Sequence, residues 1–179
     1  MKAQFVFLMI IASFIMSCQS STDNVKKIII EWQGKKMVIP SDEIKFKILG
    51  KDTICLNIID MNYKILTYVD SVGCTSCRLD LPQWKQLIDS CHNCFSNVGF
   101  LFVIHSTNFK IFEQELIISN FNYPVIFDFK NSFDKLNHFP PFPYQTFLLD
   151  KDNNVLLVGS PVNNPKMWEL YKKTIEQKE

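Results

Sequence analysis

The sequence predicts an α/β fold: a central mixed sheet flanked by helices, with a β extension ahead of it. Three stretches carry that expectation. Val98 to Ile104 is a continuous apolar run, as a parallel strand buried on both faces requires. Ile65 to Val69 is β-branched and aromatic, and Leu81, Trp84, Ile88 and Cys91 then recur at helical spacing, so a strand hands over to an amphipathic helix. Near the C-terminus, Thr146 to Leu149 and Val155 to Val158 flank Lys151-Asp152-Asn153-Asn154, whose Asn pair tolerates the positive φ values of a tight hairpin.

Taken in order, the chain of 179 residues opens on a targeting signal. Lys2 gives a short positive region, and Ala3 to Phe14 is almost wholly apolar but too short to span a bilayer comfortably. Ile15-Met16-Ser17-Cys18 resembles a bacterial lipobox, with an apolar residue three before the Cys and a small one just before it. That resemblance implies a signal over 1–17, an acyl chain on Cys18, and a mature protein anchored in a lipid membrane of the cell envelope, facing the periplasm or exterior. An ordinary signal peptide with a chance Cys is the plainer alternative. Residues 18–24 are polar and read as a tether, in which six extended residues reach only about 20 Å. Residues 25–60 are expected to form the β extension and 61–179 the main domain. One domain with a full core suits a mature length of about 160 residues. Of 19 basic side chains one, Lys2, lies in the signal; the rest balance the 18 acidic ones, so nothing suggests nucleic acid as a partner.

Within the extension, Val25 to Trp32 and Lys36 to Ile39, joined at Gln33-Gly34, read as a hairpin, with a further strand in Glu43 to Leu49 or Ile54 to Ile59. Cys55, between Ile54 and Leu56, reads as a plain buried thiol. Beyond Ile104 a helix is marked by Phe109, Phe112 and Leu116, Val125 to Phe127 is a short strand behind Pro124, and Asn131 to His138 is a short helix. The last helix has Asn164 as N-cap, Pro165 in first position, and Met167, Tyr171 and Ile175 on one side. His92, His105 and His138 read as scaffold or surface, although His105, at a strand end, is placed to approach a site.

Chemistry concentrates in Cys74-Thr75-Ser76-Cys77. Gly73 allows a tight turn after the strand, which puts Cys74 at or just before the N-terminus of a helix running through Cys77 to Cys91. Unpaired backbone N–H groups and the positive end of the macrodipole there stabilise a thiolate, lowering its pKa from the usual value of about 8.5. Cys74 is the candidate catalytic nucleophile. Cys77, one turn on and on the core-facing stripe, is the candidate resolving thiol. With Arg78, Asp80 and Pro82 following in order, the run resembles the active site of the thioredoxin superfamily, and most nearly the exported ResA/TlpA-like thiol-disulfide oxidoreductases. The resemblance covers Ile65 to the C-terminus. It implies a thioredoxin-like fold, no cofactor, exported thiol or disulfide proteins as partners, and a membrane electron donor or acceptor. Gly73 departs from the pattern, replacing a Trp, and Tyr68 stands where thioredoxin has a buried acid.

The same resemblance implies a cis-Pro at the start of the strand facing the pair, where the backbone holds substrate. Phe147-Leu148-Leu149-Asp150 aligns, but Tyr144 occupies the Pro position and Pro143 precedes it. Either a bulge restores Pro143 or Tyr144 stands in, so Pro143, Tyr144 and Thr146 are the candidate substrate-binding residues. A second Cys-x-x-Cys, Cys91-His92-Asn93-Cys94, raises a zinc ribbon as a rival. One unbroken helix from Cys77 to Cys91 would hold the two pairs roughly 20 Å apart, too far for one ion, so no metal is expected. A structural disulfide between Cys91 and Cys94 suits an oxidising compartment. Two functions remain open: a tethered oxidoreductase, and a non-catalytic lipoprotein in which Cys74–Cys77 is a permanent staple of a binding module.

Overall fold

The computed structural model describes residues 22–40, 44–71 and 79–177. In chain order these form a helix over 22–32 (α1), strands Phe46–Ile48 (β1) and Lys51–Thr53 (β2), a 3-10 turn at Leu56–Ile58, strand Tyr63–Val69 (β3), helix Leu81–Cys94 (α2), strand Val98–Ile104 (β4), helix Phe109–Ile118 (α3), strand Val125–Phe127 (β5), helix Ser132–Asn137 (α4), strands Thr146–Leu149 (β6) and Val155–Val158 (β7), and helix Pro165–Glu176 (α5).

The seven strands make one mixed sheet in the order β2-β1-β5-β4-β3-β6-β7. β3, β4 and β5 are parallel neighbours, and the other pairings are antiparallel. Both parallel crossovers, through α2 and α3, step the same way along the sheet, so right-handed connections put both helices on one face. The core confirms it: Trp84 and Ile88 of α2, Phe112 and Leu116 of α3 and Tyr171 and Ile175 of α5 pack with Ile65, Phe102 and Val125. The opposite face buries Leu66, Tyr68, Val103, Phe147 and Leu149 under Trp32 of α1 and Phe133 of α4. Every residue of β3 and β4 is buried, which is why β4 reads as a continuous apolar run. β3 is interrupted by Thr67 and by Lys64, whose ammonium is fully buried and donates to the carbonyls of Met61 at 3.1 Å and Lys151 at 3.0 Å. Burial lowers its pKa, against the opposing pull of Asp150, Asp152 and Asp60.

This is the expected α/β architecture, and the core elements lie where the sequence puts them. The N-terminal region differs. The hairpin expected over Val25 to Ile39 is not formed: 22–32 is helical, and Lys36 makes only an isolated bridge to Asn154. Ile28-Ile29-Ile30 gives the stretch strong β propensity, but Val25, Ile28 and Trp32 share a helical stripe and Trp32 is only 1 % exposed, so tertiary burial decides. The hairpin of the β extension is instead β1–β2, closed by Leu49 (φ 48°) and Gly50 (φ 79°), the positive pair that a two-residue turn of the I′ kind requires. Ile54 to Ile59 holds the 3-10 turn rather than a strand.

Candidate functional site

The C-terminal ends of β3, β4 and β5 share one edge of the sheet, the edge at which open α/β sheets place their ligands. β3 leaves the sheet at Asp70 and Ser71, and the chain returns at Leu79, fully buried beneath α2. Cys74 and Cys77 fall between these points and lie outside the described residues, as does Cys18.

The described turns do correct the expected helix. Asp80 adopts a left-handed backbone (φ 34°, ψ 60°), so no unbroken helix joins Cys77 to Cys91, and α2 begins at Leu81. Pro82 lacks the N–H that would continue a helix from the preceding turn, and its ring would clash with the carbonyl four residues back, so it fits only in the first turn of α2; Asp is among the few residues that tolerate the left-handed region. The Asp80 carboxylate accepts a 2.8 Å hydrogen bond from Asn163 of the loop before α5. The rod between the two Cys pairs is therefore shorter than the sequence implies.

On the other side of β3, the segment before β6 carries the expected proline geometry. The Phe142–Pro143 peptide bond is cis, and Tyr144 N–H donates to the Pro141 carbonyl at 3.0 Å, closing a four-residue turn with the cis proline in its third position. Of the two alternatives the sequence leaves open, the cis bond is at Pro143. Tyr144 is half-buried, its ring against the core cluster under α1 and α4. Thr146, 4 % exposed, pairs with Thr67 across β3–β6, and their hydroxyls lie 3.3 Å apart on the face that α2 covers. Tyr68, in the place of the buried acid, stacks on Phe139 and donates its hydroxyl to Asn131 at 2.7 Å.

Two residues that the sequence reading passed over belong to this edge. Gln145, 6 % exposed, donates through Nε2 to the Asp70 carboxylate at 3.1 Å, and its carbonyl accepts from Tyr68 N–H at 2.9 Å. An acid directly after a buried strand was the available signal for Asp70; nothing in the sequence marked Gln145. His105 follows β4, and its Nδ1 lies 2.9 Å from the Asp128 carbonyl, which leaves Nε2 as its outward nitrogen. Asp128, after β5, is itself spent on capping α4, accepting from Ser132 and Phe133 N–H.

The second Cys pair sits in the last turn of α2 and is not bridged: Cys91 is fully buried, Cys94 is exposed, and both thiols are free. The suggested structural disulfide is not formed: Cys91 belongs to the core and Cys94 to the surface. Burial, with a smaller push from Cys94, drives the Cys91 thiol up to about 12. At pH 8 only about one Cys91 in ten thousand is then thiolate. Iodoacetamide at pH 8 should label Cys94 in the native protein and reach Cys91 only after unfolding; equal labelling of both would contradict the burial. The raised pKa also sets a sign. Unfolded Cys91 ionises first as pH rises, so its contribution to stability is complete below pH 8 and fades towards about 12.

No family model and no curated protein sequence matches the chain. Solved structures do match its fold. A protein provisionally named thiol:disulfide interchange protein DsbE, from Chlorobium tepidum, superposes with a TM-score of 0.58 at 19 % identity, over 81 % of this chain and 96 % of its own. The thioredoxin domain of a thiol-disulfide oxidoreductase from Bacteroides vulgatus gives 0.59 at 12 % identity, over 79 % and 96 %. AhpC from Mycobacterium bovis also gives 0.59 at 12 % identity, over 80 % and 96 %. The fold is thus thioredoxin-like, and it is shared by proteins with different names.

Proposed function

We propose that the chain is a thiol-disulfide oxidoreductase, held at the cell envelope by an acyl chain on Cys18 and exchanging disulfides with exported proteins through Cys74 and Cys77. The observation that carries the reading is a juxtaposition. The segment bearing Cys-x-x-Cys joins the end of β3 to the kinked start of α2, and the cis-Pro143 turn leads into β6, the strand beside β3.

The chemistry follows from the spacing. Cys74 thiolate attacks one sulfur of a substrate disulfide, the S–S bond breaks, and the departing thiolate takes a proton from water. Cys77, deprotonated in turn, attacks the mixed disulfide, so Cys74–Cys77 becomes the disulfide and the substrate leaves with two thiols. Two electrons pass to the substrate, and the reverse sequence oxidises a dithiol. The Pro143 to Thr146 backbone orients the substrate chain beside the pair; Tyr144 contributes main chain, since its ring is committed to the core.

Whether Cys74 and Cys77 interconvert with a disulfide as a two-electron couple against glutathione is the test of the activity. Among the described residues no helix is long and apolar enough to cross a membrane. The tether is tested by the mass of the mature protein, which should show an acylated N-terminal Cys18 that Cys18→Ala removes; a mature N-terminus elsewhere would contradict it.

A further inference from the structure

We propose that the layer formed by α1, residues 35–39 and α4 is the face on which the protein lies against an anionic membrane; the proposal rests on the reading of Cys18 as the acylated residue. α1 begins at residue 22, inside the stretch that the sequence reads as a tether. Only residues 19–21 then separate the anchor from the helix, and four chain steps reach at most about 14 Å whatever their path. Residue 30 lies about 12 Å along the helix from residue 22. An acyl chain in the bilayer therefore keeps the whole of α1 within reach of the headgroups.

The layer is one piece. Asn137 of α4 accepts from Val38 N–H at 2.8 Å and donates to the Val38 carbonyl at 2.9 Å, while its own carbonyl accepts from the Lys35 ammonium at 3.0 Å. Inward, Ile28, Trp32, Met37 and Phe133 pack on the sheet. Outward, the layer exposes Ile29, Ile30, Val38 and Leu136, with Ile30 at 77 %. Lys26 and Lys27, both exposed, are the neighbours of Ile30 one turn back on the helix surface, and Lys36 is exposed beside Val38 in the chain. Residues 22–39 hold four Lys against Asp23 and Glu31, a net charge of +2, and the rest of a mature chain that balances as a whole is then −2.

Lysines interleaved with aliphatic side chains suit an anionic headgroup layer. The ammonium groups meet lipid phosphates while the lysine stems and isoleucines enter the acyl boundary. Other occupants and other faces fit less well. α3, on the opposite face of the sheet, also exposes Ile111, Ile117 and Ile118, but among Glu113, Glu115 and a single Lys110. A second copy paired through this layer about a two-fold axis would bring Lys26, Lys27 and Lys36 towards their own counterparts.

The test is lysine footprinting of the mature acylated protein, either in vesicles of phosphatidylcholine and phosphatidylglycerol or dispersed in a nonionic detergent, with acetylation read by peptide mass. Lys26, Lys27 and Lys36 should acetylate about fivefold more slowly on vesicles, the gain of one ammonium at an anionic surface, while the exposed Lys110 of α3 and Lys166 of α5 change by less than about twofold. Ile30→Asp, at a position exposed enough to leave folding intact, should return the three to within about twofold of their detergent rates. Ile118→Asp, equally exposed on α3, should leave their protection unchanged. Equal rates on vesicles and in detergent, protection of Lys110 in place of Lys26, or protection that survives Ile30→Asp would overturn the proposal. Protection that grows with protein density at fixed lipid would overturn it in favour of a second copy. A mature protein whose Cys18 carries no acyl chain in the same spectra would overturn the tether reading, and the proposal with it.

Discussion

Trp32→Ala is expected to destabilise the protein by about 3–5 kcal/mol, the range for removing a large buried aromatic. Trp32 is 1 % exposed, stacks on Phe139 at 5.8 Å between ring centroids, lies 4.8 Å from Phe147, and carries the Lys35 ammonium 3.8 Å above its ring. Its loss opens a cavity between α1 and the sheet and removes the clamp on the 138–144 segment. Against a typical total of about 5–15 kcal/mol the variant should be close to unfolding, with a melting temperature lower by roughly 10 °C. Circular dichroism against temperature measures it. A drop of only one or two degrees would mean that α1 is a loose appendage, as a peripheral hairpin over 25–39 would have been.

That region shows where the sequence stopped being legible. β4 is clear because burial on both faces leaves an unbroken apolar run, β3 because its residues from Ile65 on are β-branched and aromatic, and β6 and β7 because their apolar residues flank a turn in which Asn153 takes a positive φ of 66°. Asn164 caps α5 as its chemistry demands, accepting from Met167 N–H at 3.2 Å. In 22–32, local propensity and tertiary burial pulled in opposite directions, and one buried indole outweighed three isoleucines. β2, with the sequence Lys-Asp-Thr, has no apolar pattern at all; it is a strand because Leu49 and Gly50 fold it back on β1. At the site, Cys74, Cys77 and Pro143 stand out as residue types with few ordinary uses. Asp70 and Gln145 do not, since only the register brings residues 75 positions apart into contact.

Cys74→Ser is expected to abolish disulfide exchange, by on the order of a thousandfold or more, because a hydroxyl cannot form the mixed disulfide through which exchange passes. Cys77→Ser should behave differently. The attacking thiol survives without its resolver, so exported partners should accumulate as mixed disulfides on Cys74, visible as reductant-sensitive adducts on a non-reducing gel. Trapping by Cys74→Ser in place of Cys77→Ser would reverse the two roles, and trapping by neither would favour a permanent staple in a binding module. Cys91 and Cys94 should not rescue either variant, since Cys91 is fully buried, with its thiol pushed up to about 12, and can neither attack a substrate nor resolve a mixed disulfide on Cys94.

The central claim, that Cys74 and Cys77 form a reversible redox couple, is tested most directly by equilibrating the purified protein across a series of glutathione buffers and counting alkylated thiols by peptide mass. The account predicts that both sulfurs lose their labels together, over a single transition that shifts about 30 mV per tenfold change in the couple, while Cys94 stays outside it. A pair that remains bridged through the whole series, or that labels one sulfur independently of the other, would contradict it.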